Sequence, residues 1–521
     1  MKQTDFIKKI KFENRKYKTA KLKSFFFMKL SFGKKREQRK FSYSIFKEDH
    51  FWDRDNNGLL EEFYFKPTDI ILYDLIPKEK LSQTKRGLVK LFKKCYSHKF
   101  LNAGTSDTDI ENLISGLDQT LHKGNSWYDT SLFDFAYDDK LNSYIDYFEI
   151  KFHNFSSSYA SIEMRIALDE SFINEISKFI SDSYKKPGMC VHRYWGRNGR
   201  KSGAKISYGV SSGVPSECAK SQLLYEQLQY VKILFLKEIK CYFPLMQCSK
   251  NRNIYGINVF ETNICPYDKL PYSVYSALGI DDMQGFNLSI AERLYISTVT
   301  IRTRDSYKSD MMFLYNPELI TGYEMYVTAH NKVIRQLTRG YMKELYRGIL
   351  LKDIGIRYQD LISEYRNMIN ACKAGRINHK KLLKMKYSLS RDFYDFKKID
   401  EELGVDKELE KIDIILSKNK YSRSSVNHGV YPYKFFAGNI NWIWKQVREN
   451  YMEVENDLDR KIEISSALTG YSAEKSNRRM VFIQVLLATV TLILTIFSDK
   501  ATELAEQIKT IWDWLENIFI R

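Results

Sequence analysis

The chain has 521 residues, a formal charge of +18 and a pI near 9.2, and is 14% aromatic and 44% hydrophobic. That apolar content excludes a disordered polybasic tail, and the length excludes a small stapled scaffold, leaving room for about two to four folding units. The basic balance favours an anionic partner: nucleic acid, a nucleotide ligand or the anionic inner face of a membrane.

In chain order, residues 1–46 hold fifteen Lys/Arg against Asp5, Glu13 and Glu37, interleaved with apolar residues at a period near two. This predicts basic strands or an edge hairpin. The N-terminus lacks an uninterrupted apolar stretch of the signal-peptide kind, so the bulk of the chain is expected in the cytosol. The seven cysteines (Cys95, Cys190, Cys218, Cys241, Cys248, Cys265, Cys372) are scattered without a C-x-x-C pair, as in a reduced compartment. The run DRDNNGLLEE, Asp53 to Glu62, imitates the start of a calcium loop, but Tyr64 stands where the bidentate glutamate belongs, and an Asn57-Gly58 hairpin turn is the better reading.

Strand-like runs follow in EEFYF, DIILYDLI, YIDYFEIKF, SIEMRIAL and YFPLM, with a short helix around Ser82 to Tyr96. Residues 1–318 therefore read as a cytosolic mixed α/β, ligand-sensing region. Within it, HRYWGRNGRKSGAKISYGVSSGVP concentrates five glycines with Arg193, Arg197, Arg200, Lys201 and Lys205. Glycine lets backbone amides approach a phosphate and the cations neutralise it, so these five basic residues are candidate ligand contacts. The spacing is neither a Walker A loop nor a Rossmann fingerprint, and a solvated hairpin explains the same composition.

From about Pro317 the texture turns helical, and residues 319–439 are expected to form a helical domain interrupted by the polar break at 418–432. Next, Ile440, Trp444, Val447, Tyr451, Val454 and Leu458 alternate spacings of four and three. This is the seam of a coiled coil, making 440–479 a stalk that meets copies of itself; the alternative is an amphipathic helix lying on its own domain.

Met480 to Phe497, MVFIQVLLATVTLILTIF, carries no charge. As a helix it is about 27 Å long against a hydrocarbon thickness of about 30 Å, which predicts a transmembrane helix over 480–498. Lys475, Arg478 and Arg479 directly before it place that flank in the cytosol. Asn477, Gln484, Ala488, Thr491, Thr495 and Ser498 fall close to one line at 100° per residue. Lipid does not reward a polar line, so it turns either to other helices or to water in an oligomeric pore. Residues 499–521 form an amphipathic helix with Leu504, Ile508, Ile511, Trp512, Leu515 and Phe519 on one face, long enough for a second crossing but unusually charged. The whole reads as an α+β protein with a helical stalk and a C-terminal membrane helix.

A long helix entering the membrane through EKSNRRMVFIQVLLATVTLILTIF, with a short tail beyond, resembles the CorA-like family of metal-ion channels and transporters over roughly residues 440–521. That resemblance implies a cytosolic α/β domain, a stalk helix continuing into the pore-lining helix, and a pentameric homo-oligomer. The Gly-Met-Asn motif of that family is absent, since Phe497 runs into Ser498, Asp499 and Lys500. The chain looks more like the divergent CorA-like effectors of type III CRISPR systems, which implies antiviral defence gated by an adenylate-derived second messenger, SAM-AMP. No H-E-x-x-H, G-x-S-x-G or zinc-spaced Cys/His cluster occurs, so no enzyme, cofactor or metal is expected, and paired acids such as Asp281/Asp282 and Glu401/Glu402 read as solvated surface. The competing functional class is a membrane-anchored nucleic-acid-binding or scaffold protein whose basic N-terminus grips phosphate backbone.

Overall fold

The computed structural model describes residues 59, 61–95, 114–117, 127–133, 139–182, 184, 189–196, 205–212, 216–246, 256–263, 285–291, 294–299, 311–319, 330, 342–372, 379–417, 421–422, 432–496 and 501–519. The basic N-terminal segment and the Asn57-Gly58 turn lie outside the described residues.

By packing, the chain divides into two units: residues 1–358 with 396–446, and residues 359–395 with 447–521. The helical region 319–439 thus contributes to both.

The first unit is built on a six-stranded sheet. Its strands are β1 (Phe65–Pro77), β2 (Trp127–Phe133), β3 (Ile145–Asn154), β4 (Tyr159–Leu168), β7 (Gly256–Thr262) and β10 (Met311–Tyr315), in the order β10-β7-β1-β4-β3-β2. All neighbours are antiparallel except β10 and β7. Alternation sorts the side chains: Phe148, Ile150 and Phe152 of β3 and Ile162, Met164 and Ile166 of β4 join one apolar core. Helices α1 (Leu81–Cys95), α2 (Glu170–Ser181) and α3 (Ser216–Ile239) pack residues such as Leu88, Phe172 and Phe235 into the same core. Asp169 caps α2, its carboxylate accepting from the Ser171 amide.

Antiparallel sheets often leave one face to water, but this one is covered there too. All ten residues of β4 are buried, because helix α4 (Met342–Ala371) begins over the second face, Tyr346 stacking on His153 and on Tyr73. The sheet is therefore covered on both sides. The segment YFPLM is not a strand: Phe243 donates to the Ile239 carbonyl and packs its ring on Phe152 of β3, Pro244 has no amide to give, and the Met246 amide donates to the Leu75 carbonyl of β1. Two smaller sheets, β5 (Met189–Gly196) with β6 (Lys205–Ser212), and β8 (Gly285–Ala291) with β9 (Leu294–Val299) and β11 (Tyr421–Ser422), complete the described strands.

The longer helices that follow are α5 (His379–Asp392), α6 (Tyr394–Leu403), α7 (Val405–Ser417), α8 (Pro432–Ile496) and α9 (Ala501–Phe519). In the first unit, Trp444 of α8 is fully buried, donates its indole N–H to the Leu351 carbonyl at 2.8 Å and stacks on Phe396. In the second unit, Tyr451 packs on Phe393, and Lys461 donates to the Ile369 carbonyl near the end of α4. The seam Ile440, Trp444, Val447, Tyr451, Val454 and Leu458 is buried throughout by this chain alone. This corrects the expectation that it meets copies: the 4–3 spacing belongs to a helix packed within its own protein. Such a spacing reports one apolar stripe, and a stripe cannot say whose helix covers it.

Candidate functional site

Helix α8 changes character after Ser465, its last buried side chain. From Ser466 to Thr495 no side chain is buried, the apolar window of the helix included. Met480, Val481, Phe482, Val485 and Leu492 each leave more than half of their surface uncovered. Water penalises so much bare apolar surface, and a hydrocarbon environment does not. The predicted span therefore stands in the structure as a helix long and apolar enough to cross a membrane.

The polar line lies on this bare helix. Asn477, Gln484, Ala488, Thr491 and Thr495 are all exposed, and Ser498 lies outside the described residues. The threonine hydroxyls are satisfied within the helix: Thr491 donates to the Leu487 carbonyl at 2.8 Å and Thr495 to the Thr491 carbonyl at 2.6 Å. Those bonds make the threonines compatible with helix packing as well as with water.

Partial cover is confined to Ile483, Val490 and Leu494 in the span and to Ile508 and Leu515 among the residues of α9 whose side chains are described. Each set runs at helical spacing along one side of its helix. Trp512 and Trp514 of α9 stay more than half exposed.

The candidate ligand residues stand differently. Strands β5 and β6 form the two-stranded hairpin that the glycine-rich composition allows, with Arg193 opposite Tyr208 and Lys205 opposite Gly196. Arg197, Arg200 and Lys201 lie outside the described residues.

The covered face of the large sheet holds a network that periodicity does not reveal. Arg165 of β4 donates Nε–H to Asp69 Oδ1 of β1 at 2.7 Å, lies 3.6 Å from Glu149 of β3 and sits over the Tyr147 ring. His330 Nε2 is 3.1 Å from Asp69 Oδ2, and its Nδ1 is 2.8 Å from the Tyr315 hydroxyl. The Tyr315 hydroxyl gives its one proton to Glu261 Oε2 at 3.1 Å. Burial works to raise the Asp69 pKa, but the hydrogen bond from His330 and the charge of Arg165 outweigh it and hold the carboxyl below its usual range. Burial and the nearby carboxylate of Glu261 push the Tyr315 phenol far up, which keeps it a neutral donor. These alternating charges offset one another and make a buried face tolerable for strands that read as half-exposed.

No protein-family model, curated protein or solved structure matches the chain.

Proposed function

We propose that the protein is a membrane effector: a homo-oligomeric channel of the CorA-like kind, in the cell inner membrane with its bulk in the cytoplasm, opened by a nucleotide second messenger. The CorA-like resemblance of residues 440–521 makes SAM-AMP the messenger, a pentamer the assembly and antiviral defence the setting. The observation that carries this reading is the bare span of α8 with its line of Gln484, Ala488, Thr491 and Thr495. A polar line on a lipid-facing helix is costly, and sister helices around a wet axis would relieve that cost. The same helix continues without interruption from Pro432, so a shift in the residues around Trp444 has a continuous rod on which to act.

Gating requires the ligand to bind the open and closed states with different affinities. The test is ion flux from liposomes carrying the purified chain, with and without SAM-AMP and other adenylates. Ligand-dependent flux is expected, and its loss in Gln484→Leu would tie it to the polar line. Membrane insertion without flux under any adenylate would leave the anchored nucleic-acid-binding reading as the better one.

A further inference from the structure

The turn between β3 and β4, Phe155 to Ser158, is a short serine-rich loop closed by the Ser156 amide on the Tyr159 carbonyl. Three of its donors point at one acceptor. The Ser156 hydroxyl reaches Glu402 Oε2 at 2.7 Å, the Ser158 amide reaches the same oxygen at 3.0 Å, and the Ser158 hydroxyl bonds Oε1. Glu402 comes from the end of α6, far away in sequence, and reads from sequence as half of a solvated acid pair. Lys78 stands beside the turn, its amide on the Ser158 carbonyl and its ammonium on Asn154 at 2.9 Å. Ser157 is exposed, so the turn opens to solvent.

We propose that this turn is an oxyanion site for a phosphoryl group, closed in this state by the Glu402 carboxylate. The inference rests on the reading of the protein as ligand-gated and supplies a second place, apart from the β5–β6 hairpin, where an anionic ligand acts. Converging hydroxyl and amide donors beside a lysine are the chemistry that recognises phosphate. Burial tends to raise the Glu402 pKa, yet the serine donors hold it below its usual value, so the turn favours negative charge. A phosphoryl group brings more charge and a third oxygen to the same donors.

Displacing Glu402 would also have a structural effect. Gly404, two residues on, has φ +55° and joins α6 to α7. That left-handed conformation favours glycine, so the joint is a single residue, and α7 beyond it carries Glu408, which pairs with Arg347 of α4. Release of Glu402 would free the α6 side of the joint while the Glu408 pair holds the other.

Calorimetry on the full chain in detergent tests this with inorganic phosphate and with adenosine monophosphate. Glu402→Ala should bind phosphate about tenfold tighter than wild type, and adding Ser156→Ala and Ser158→Ala should abolish that gain. Binding of the nucleotide but not of inorganic phosphate would assign the site to a nucleotide phosphate, and the converse to free phosphate. If neither binds the wild type or Glu402→Ala, the contact is only a structural tie and the proposal falls. Should Glu402→Ala fail to fold, hydrogen exchange at the Ser158 amide of the wild type decides: phosphate should alter it, and no change overturns the site. Phosphate binding without liposome flux would sink the channel reading alone, whereas adenylate-gated flux that survives Ser156→Ala with Ser158→Ala would sink this site alone.

Discussion

Replacing Trp444 by alanine tests whether the 4–3 stripe of α8 serves its own chain. The indole is fully buried, stacks on Phe396 at 4.6 Å between ring centroids and satisfies the Leu351 carbonyl. Truncating a buried aromatic of this size costs about 3–5 kcal/mol, and the orphaned carbonyl adds about 1–3 kcal/mol unless water reaches it. A loss of at least about 3 kcal/mol is therefore expected in denaturant unfolding of the detergent-solubilised chain, independent of protein concentration. Particle mass, measured alongside below the transition, should not change. If Trp444→Ala keeps wild-type stability but splits the particle into smaller ones, the stripe holds copies together and does not pack within its own chain.

Gly355→Ala probes the same place from the other side: its Cβ would lie 2.7 Å from Ile443 Cγ2, and overpacking should cost about 1–3 kcal/mol in the same unfolding assay. Burial lowers the pKa of Lys220 to about 7, although Asp182 opposes the shift, while in the unfolded chain it titrates near 10.5. The unfolded state thus binds more protons between those values, so stability should rise with pH across that window by something on the order of 5 kcal/mol. Lys220→Met should flatten the rise, and an equal slope in both proteins would refute the assignment. Asp69 titrates the other way: its depressed pKa contributes stability that is present above about pH 4 and lost on acidification, so Asp69→Asn should be less stable at pH 7 and less acid-sensitive. Terminating the chain after Arg479 should move it from the carbonate-resistant membrane fraction to the soluble one.

The strands around Ile70, Ile150 and Met164 and the helix beginning near Leu81 are legible in the sequence because alternation and helical spacing are local properties of the chain. The span is legible because charge is absent from it for so long. What periodicity cannot convey is partnership across distance. Asp69, Arg165 and Glu261 alternate with apolar neighbours just as solvent-facing residues do, and only the sheet register brings them together. Glu402 looks solvated until the β3–β4 turn is seen to close on it. The apolar stripe from Ile440 to Leu458 is visible, but its partners, Phe393 and Phe396, precede it by dozens of residues. The glycine-rich hairpin is visible as composition, and its pairing fixes which backbone positions face each other.

The free length of α8 has an electrostatic consequence. From Ser465 to Met480 the helix rises about 22 Å, well over twice the Debye length of about 8 Å at physiological salt. With the span inserted as proposed above and the rod upright, the helices packed around Phe393 and Tyr451 would sit beyond the reach of headgroup charge. Swapping neutral lipid for anionic lipid should be felt by Lys475, Arg478 and Arg479 and hardly at all by those helices.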